Sequence, residues 1–204
     1  AEKLNLEGIC IVSGLNNLEN NLEKIKTLNE KSELNIATGV MIKEDIEKKS
    51  KELRRKVELI FVSGGDYEIN RTACSSHYVD ILCHPNKGRY DCGIDHVCCN
   101  EAKAHNTVIE LNFRELLTAQ GMEKIRELNK LKNMLRLCIK TKANFIVNSG
   151  AVDIFELRSG RELSALSFTL GATLYDALAA NSEIPRKLIA KNREKMNQPL
   201  KGVN

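Results

Sequence analysis

Tryptophan is absent from the 204 residues, and aromatic side chains amount to only 4%. Proteins that hold splayed nucleic-acid bases stack them on aromatic rings, so recognition in the style of an RRM or OB-fold is not expected. Histidine is also scarce. His77, His84, His96 and His105 are the only four, and no His-x-His pair occurs. A two-metal hydrolase centre needs several His and Asp/Glu ligands converging on one rim, and this sequence does not supply them. No glycine-rich GxGxxG and no Walker A sequence is present, which argues against nucleotide binding in those styles. No 18-residue apolar run exists, and no charged segment precedes a short apolar one, so neither a membrane span nor a secretory signal is read.

The seven cysteines (Cys10, Cys74, Cys83, Cys92, Cys98, Cys99 and Cys138) are odd in number and form no CxxC pair. They read as reduced thiols of a cytoplasmic protein, mostly small core residues among apolar neighbours. A zinc site built from Cys92, Cys98 or Cys99 lacks the paired spacing such sites use.

What is present is a regular alternation of short apolar runs and helical patterns. Strands are predicted at Gly8–Ser13, Ile36–Ile42, Val57–Ser63, Val79–Cys83, Val108–Asn112 and Asn144–Asn148. Between them fall a helix with Leu18, Leu22, Ile25 and Leu28 on one face, then helices over Glu44–Lys56, Ile94–His105 and Lys124–Lys142. Ser159 and Glu162 have the spacing of a capping box, and Gly171 stops the helix they open. Thr173 with Asp176 and Pro185 mark a last pair of helices. This order implies βαβ units, a parallel sheet and a single α/β domain over 1–204, a TIM-like barrel rather than an open sheet. A seventh strand would sit before Ala1 in a longer chain. Ser13, Ser63, His84, Asn112 and Ser149 end their strands and would ring the rim where such barrels carry function.

Charge is uneven. The net charge is +4, but residues 1–100 carry −2 and residues 101–204 carry +6. The helix over Lys124–Lys142 displays Lys132 and Arg136 among seven basic residues. The tail adds Arg186, Lys187, Lys191, Arg193, Lys195 and Lys201. Clusters of this kind neutralise phosphates and release counterions. Arginines beside rim loops can grip a phosphate with two parallel hydrogen bonds. These are Arg89 in a glycine-rich loop, Arg114 just past a strand, and Arg158 and Arg161 around the start of a helix whose own N–H groups could also face a phosphate. For Arg114 and Arg161 a structural ion pair with Glu110, Glu115 or Glu162 is the competing reading. His84 is the single metal-ligand candidate, with His96, Asp91 or Asp95 the only companions in reach. It is read first as a structural, hydrogen-bonding histidine beside Pro85, and Asp95 as a helix cap. No metal or other cofactor is assigned to the protein.

Three segments carry a family resemblance: VDILCHPN at Val79–Asn86, GRYDCGIDHVCCNEAKAHNTVIELNFRELL at Gly88–Leu117, and ANFIVNSGAVDIFELRSGRELSALSFTLG at Ala143–Gly171. Their order and spacing resemble the ribonuclease P protein component 3 family of archaea and eukaryotes. The likeness is distinctive over residues 79–195 and looser before them. It implies a barrel related to polymerase-and-histidinol-phosphatase hydrolases but without their chemistry. It also implies a subunit that binds ribonuclease P RNA together with protein component 2 and the other ribonuclease P proteins, touches precursor tRNA only indirectly, and leaves Mg²⁺ to the RNA. The competing readings are an autonomous metal-dependent phosphoesterase and a scaffold that contacts proteins only.

Overall fold

The structure, a computed structural model, describes residues 1–197, so Lys201 lies outside the described residues. Six strands form one sheet: β1 (Gly8–Gly14), β2 (Asn35–Ile42), β3 (Leu59–Ser63), β4 (Ile81–Cys83), β5 (Val108–Asn112) and β6 (Phe145–Asn148). They pair in sequence order and every pair is parallel. The sheet curls but does not close, which makes it an incomplete TIM-like α/β barrel. Because all strands run the same way, the ends at Ser63, Cys83, Asn112 and Asn148 share one rim.

The connecting helices are α1 (Leu18–Asn29), α2 (Ile46–Leu53), α3 (Tyr67–Ser75), α4 (His96–His105), α5 (Phe113–Thr118), α6 (Gly121–Thr141), α7 (Gly160–Leu170), α8 (Leu174–Ala179) and α9 (Glu183–Asn197). Strand residues alternate between two faces. On the outer face, Val40, Ile42 and Ile60 pack with Leu18 and Leu53 of α1 and α2. Also outward, Val62, Leu82, Ile109, Leu111 and Val147 join the core shared by α3 to α8, where Leu131, Met134, Leu135 and Cys138 of α6 are fully buried. On the inner face, Leu59, Phe61, Ile81, Cys83, Val108 and Ile146 meet Leu188 of α9, with Ile184 and Ile189 beside it. The last helix therefore fills the concavity that a closed barrel fills with strand side chains alone.

Two helices differ from the sequence expectation. α3 has no counterpart in the sequence reading, because its buried residues are Asn70, Ala73 and Cys74, too small and polar to give an apolar period. Asp66 starts it by accepting the N–H groups of Glu68 and Ile69 at 2.9 and 3.2 Å. α5 follows β5 without a gap, with Asn112 Oδ1 accepting Arg114 N–H at 3.0 Å, so it read as the exit of a strand. The strands expected from Val57 and Val79 begin two residues later, at Leu59 and Ile81. α2 is shorter than Glu44–Lys56 at both ends.

A buried polar network explains those late starts and anchors α9. Asp80, 6% exposed, accepts Arg54 Nη1–H at 2.5 Å and Ile60 N–H at 2.7 Å on one oxygen, and Asn192 Nδ2–H at 2.8 Å on the other. Arg54 Nη2 also donates to the carbonyls of Val57 and Glu58. Beside it, Glu58 accepts Arg193 Nε–H at 3.0 Å and Thr38 N–H at 2.5 Å. Removing one partner of a buried pair leaves an uncompensated charge and costs about 3–5 kcal/mol. Asp80→Ala is expected to lower the free energy of urea unfolding by about that much. Arg186→Ala, at a highly exposed contact 3.7 Å from Glu7, is expected to change it by less than ~0.5 kcal/mol.

Candidate functional site

The rim is organised by the loop from His84 to Asp95. His84 follows β4 with φ at +50°, a left-handed conformation unusual outside glycine. Gly93, at φ +76°, lies so close to the loop's start that an added Cβ would fall 1.8 Å from the Pro85 carbonyl oxygen. Asn70 of α3 bridges the two ends, with Nδ2 donating to Pro85 and Gly93 carbonyls at 3.0 and 2.7 Å and Oδ1 accepting Gly65 N–H at 3.1 Å. Gly64, where an added Cβ would fall 2.2 Å from Asn70 Oδ1, and Gly65, where it would fall 2.7 Å from the Lys87 carbonyl oxygen, are glycine for the same reason: backbones meet around one buried asparagine.

His84 makes the hydrogen bond expected of a structural histidine beside Pro85. Its Nδ1–H donates to Glu115 Oε1 at 2.8 Å, and this carboxylate raises the imidazole above its ordinary range. Asn86 Nδ2 donates to both Glu115 (2.8 Å) and Glu127 (2.9 Å), and Lys130 pairs with Glu127 at 2.7 Å. On β5, Glu110 is buried. Burial pushes its carboxyl up, while His84, Asn148 and Asn112 oppose the rise. Asn148 Nδ2 donates to Oε1 at 2.9 Å and Asn112 Nδ2 to Oε2 at 3.3 Å.

Among the described residues one set of three could hold a metal ion: Cys83, His84 and Glu110, with ligand atoms within 4.8 Å of one another. The companions expected for His84 do not join it. Asp91 is gripped by Arg89, and Asp95 caps α4 by accepting Cys98 N–H at 2.8 Å. Cys98 and Cys99 lie in the helix-layer core with Cys74 and Cys138, and Cys92 packs there too. A three-ligand group fits one ion and falls short of a two-metal hydrolase centre.

The basic residues fall into two groups. Arg89 binds Asp91 through Nε (2.6 Å) and Nη2 (2.8 Å). Arg114 Nε donates to Glu156 at 2.8 Å, an ion pair as anticipated but with a partner that sequence reading did not name. Arg158 donates to the carbonyls of Phe155 and Leu157 and stacks over Phe113, 5.4 Å from its ring centre. Arg193 is held by Glu58 and Asn35, and Lys187 pairs with Glu183 one helical turn away. Lys132, Arg136 and Arg161 are exposed, and no ion pair engages them among the described residues. Lys132, Arg136 and Lys140 stand four residues apart on α6, which places them in one row about 6 Å apart. At the start of α7 the capping box forms: Ser159 Oγ accepts Glu162 N–H at 3.3 Å and Glu162 Oε2 accepts Ser159 N–H at 2.8 Å. A carboxylate already sits at that helix end, so a phosphate is not expected there.

Asp95 supplies a pH test of the loop. Burial pushes its carboxyl up, but hydrogen bonds from Cys98 N–H, the Tyr67 hydroxyl at 3.0 Å and Arg71 at 3.2 Å outweigh this and hold it at about 2. A depressed carboxylate contributes stability that is present above its unfolded value of 3.8 and lost as the pH falls toward 2. Asp95→Asn is expected to flatten the decline of chemical stability between those limits and to leave stability at neutral pH lower than in the parent chain. Urea unfolding at a series of acidic pH values reads both effects.

The comparisons with known proteins agree with one another. The family model for RNase P subunit p30 matches residues 1–197. Ribonuclease P protein component 3 of Methanocaldococcus jannaschii is 37% identical over 157 residues, covering 75% of this chain and 68% of that protein. The same component of Methanothermobacter thermautotrophicus is 30% identical over 176 residues, covering 84% and 72%. That of Methanococcoides burtonii is 34% identical over 150 residues, covering 74% and 62%. The chain thus spans roughly two thirds of the length of these relatives. A chain in the cryo-EM structure of archaeal ribonuclease P with mature tRNA superposes with a TM-score of 0.87 at 30% identity, covering 100% of this chain and 90% of its own. With the sheet, the rim loop and α9 all inside the matched span, this chain belongs to the RNase P subunit p30 family.

Proposed function

We propose that this chain is a protein subunit of ribonuclease P, the RNA–protein endonuclease that removes the 5′ leader from precursor tRNA. The observation that carries the reading is the superposition of the whole chain on a component of an archaeal ribonuclease P bound to tRNA. The chain braces the catalytic domain of the RNA together with protein component 2 and the other ribonuclease P proteins, and meets precursor tRNA only through them. Mg²⁺ for the cleavage is bound by the RNA, and no cofactor of the protein takes part. The cytoplasm is the compartment that its free thiols suit, and no helix among the described residues is long and apolar enough to cross a membrane.

The geometry favours backbone recognition. The exposed row Lys132, Arg136 and Lys140 on α6 and the free guanidinium of Arg161 are the strongest RNA contacts. Lys187 and Arg89 hold exposed acids, and such surface pairs exchange readily for a phosphate. Arg114, Arg158 and Arg193 act first on the fold, fixing the loop after β6 and the last helix. An autonomous phosphoesterase is not favoured, because the family and its solved relative point to an RNA-dependent particle.

The test is cleavage of a 5′-leader precursor tRNA in Mg²⁺ by the cognate RNA plus component 2, with and without this chain, beside a protein-only reaction. Cleavage that requires the RNA and rises with this chain is expected; cleavage by protein alone would overturn the assignment. In salt-titrated binding to the RNA, the triple variant Lys132→Ala/Arg136→Ala/Lys140→Ala is expected to reduce the slope of log K against log salt by about three. An unchanged slope would move the RNA face away from α6.

A further inference from the structure

We propose that Cys83, His84 and Glu110 form a site for a single borderline-soft divalent ion, Zn²⁺ in the first instance, at the adjoining ends of β4 and β5. Three observations converge on it. The ligand atoms already lie within 4.8 Å of one another, although only two of the residues are neighbours in sequence. Cys83 points to the inner face of the sheet, and the left-handed turn at His84 brings the next residue's ring to the same point instead of the opposite face. Left-handed conformations of this kind in bulky residues gather at sites that over-determine them.

The surroundings have the order expected around a metal. Ligating histidines donate their second ring N–H to a carboxylate, and His84 Nδ1–H does so to Glu115 at 2.8 Å, leaving Nε2 for an ion. Glu115 is itself fixed by Asn86, and Glu110 is fixed by Asn112 and Asn148, so the ligands on both strands have oriented supports. Glu110 is 5% exposed, and no lysine or arginine pairs with it among the described residues. The His84 imidazole offsets that burial only in its protonated form, which cannot ligate, and a divalent ion supplies the charge instead.

The donor set selects the ion. One thiolate, one imidazole and one carboxylate suit Zn²⁺ or Co²⁺, whereas Mg²⁺ demands six oxygens. Tetrahedral zinc holds nitrogen and oxygen at ~2.0 Å and sulfur at ~2.3 Å, so its ligand atoms stand about 3.3–3.5 Å apart, and atoms within 4.8 Å here need to approach by about 1.5 Å at most. Three protein ligands leave the fourth position for solvent. In the ion's absence Cys83 Sγ–H donates to the Val62 carbonyl at 3.0 Å. Binding breaks that S–H bond, forms the sulfur–, nitrogen– and oxygen–metal bonds and releases one proton to the buffer. The site goes beyond the RNA-subunit reading and does not rest on it.

The test titrates Co²⁺ into the chelator-stripped full chain. A thiolate-to-cobalt charge-transfer band and the intense visible bands of a tetrahedral ion should grow to one equivalent, and Zn²⁺ should displace them. Cys83→Ala should abolish the charge-transfer band, while Cys99→Ala keeps it. Glu115→Gln should weaken binding by about 10- to 100-fold without removing the band, as loss of an orienting partner does. Absence of a saturable band in the parent chain, or a band that survives Cys83→Ala, overturns the site. Should Cys83→Ala fail to fold by circular dichroism, Glu110→Gln decides: unchanged cobalt affinity in that variant also overturns it.

Discussion

The carboxylate of Asp80 is the constraint on which the arrangement of the barrel depends. It joins α2 through Arg54, β3 through Ile60 N–H, and α9 through Asn192, while its own backbone leads into β4. Each of those contacts would be weak on a wet surface. In a buried position the same hydrogen bonds are mutually required, because losing one leaves the others facing an uncompensated charge. The hub lies at the end of the strands opposite the rim. That is the end of the strands where α/β barrels commonly place residues that serve stability.

Much of this was legible in the sequence, and what escaped did so for identifiable reasons. Apolar runs of four to eight residues gave all six strands, because parallel strands covered on both faces need continuous apolar side chains. Ser159, Glu162 and Thr173 marked their helix starts through capping chemistry that acts over three residues. α3 escaped because it packs through Asn70, Ala73 and Cys74, whose role is to admit neighbouring backbone rather than to bury large surface. Arg114 was expected to choose between an ion pair and a phosphate, and the pair exists, but Glu156 sits 42 residues away, beyond what local spacing reveals. Cys83 read as a core residue and His84 as a structural, hydrogen-bonding histidine with a secondary claim as a metal ligand. Only the turn between them and the neighbouring strand put Glu110 within reach of both.

The basic character of the second half also looks different once folded. Counting lysines and arginines treats each as available, whereas five of the eight singled out for RNA are engaged by acids or by backbone carbonyls and a ring. What remains is a narrower feature, a row on α6 whose apolar side is locked into the core by Leu131, Met134, Leu135 and Cys138. A rigid row of charges suits a partner recognised by shape and backbone, in keeping with a chain that has no tryptophan to offer a base.

The seating of α9 against the inner face has a consequence for how the protein folds. Asn192 meets Asp80 across 112 positions and Arg193 meets Glu58 across 135, so contacts at the starts of β3 and β4 come from a helix far along the chain. Until that helix docks, Leu59, Phe61 and Ile81 line an uncovered apolar trough, and Asp80 and Glu58 each lack a partner. Closing so long a loop is slow, and exposed apolar surface on a half-built sheet invites association with other chains. A sheet without this helix has its interior open to water.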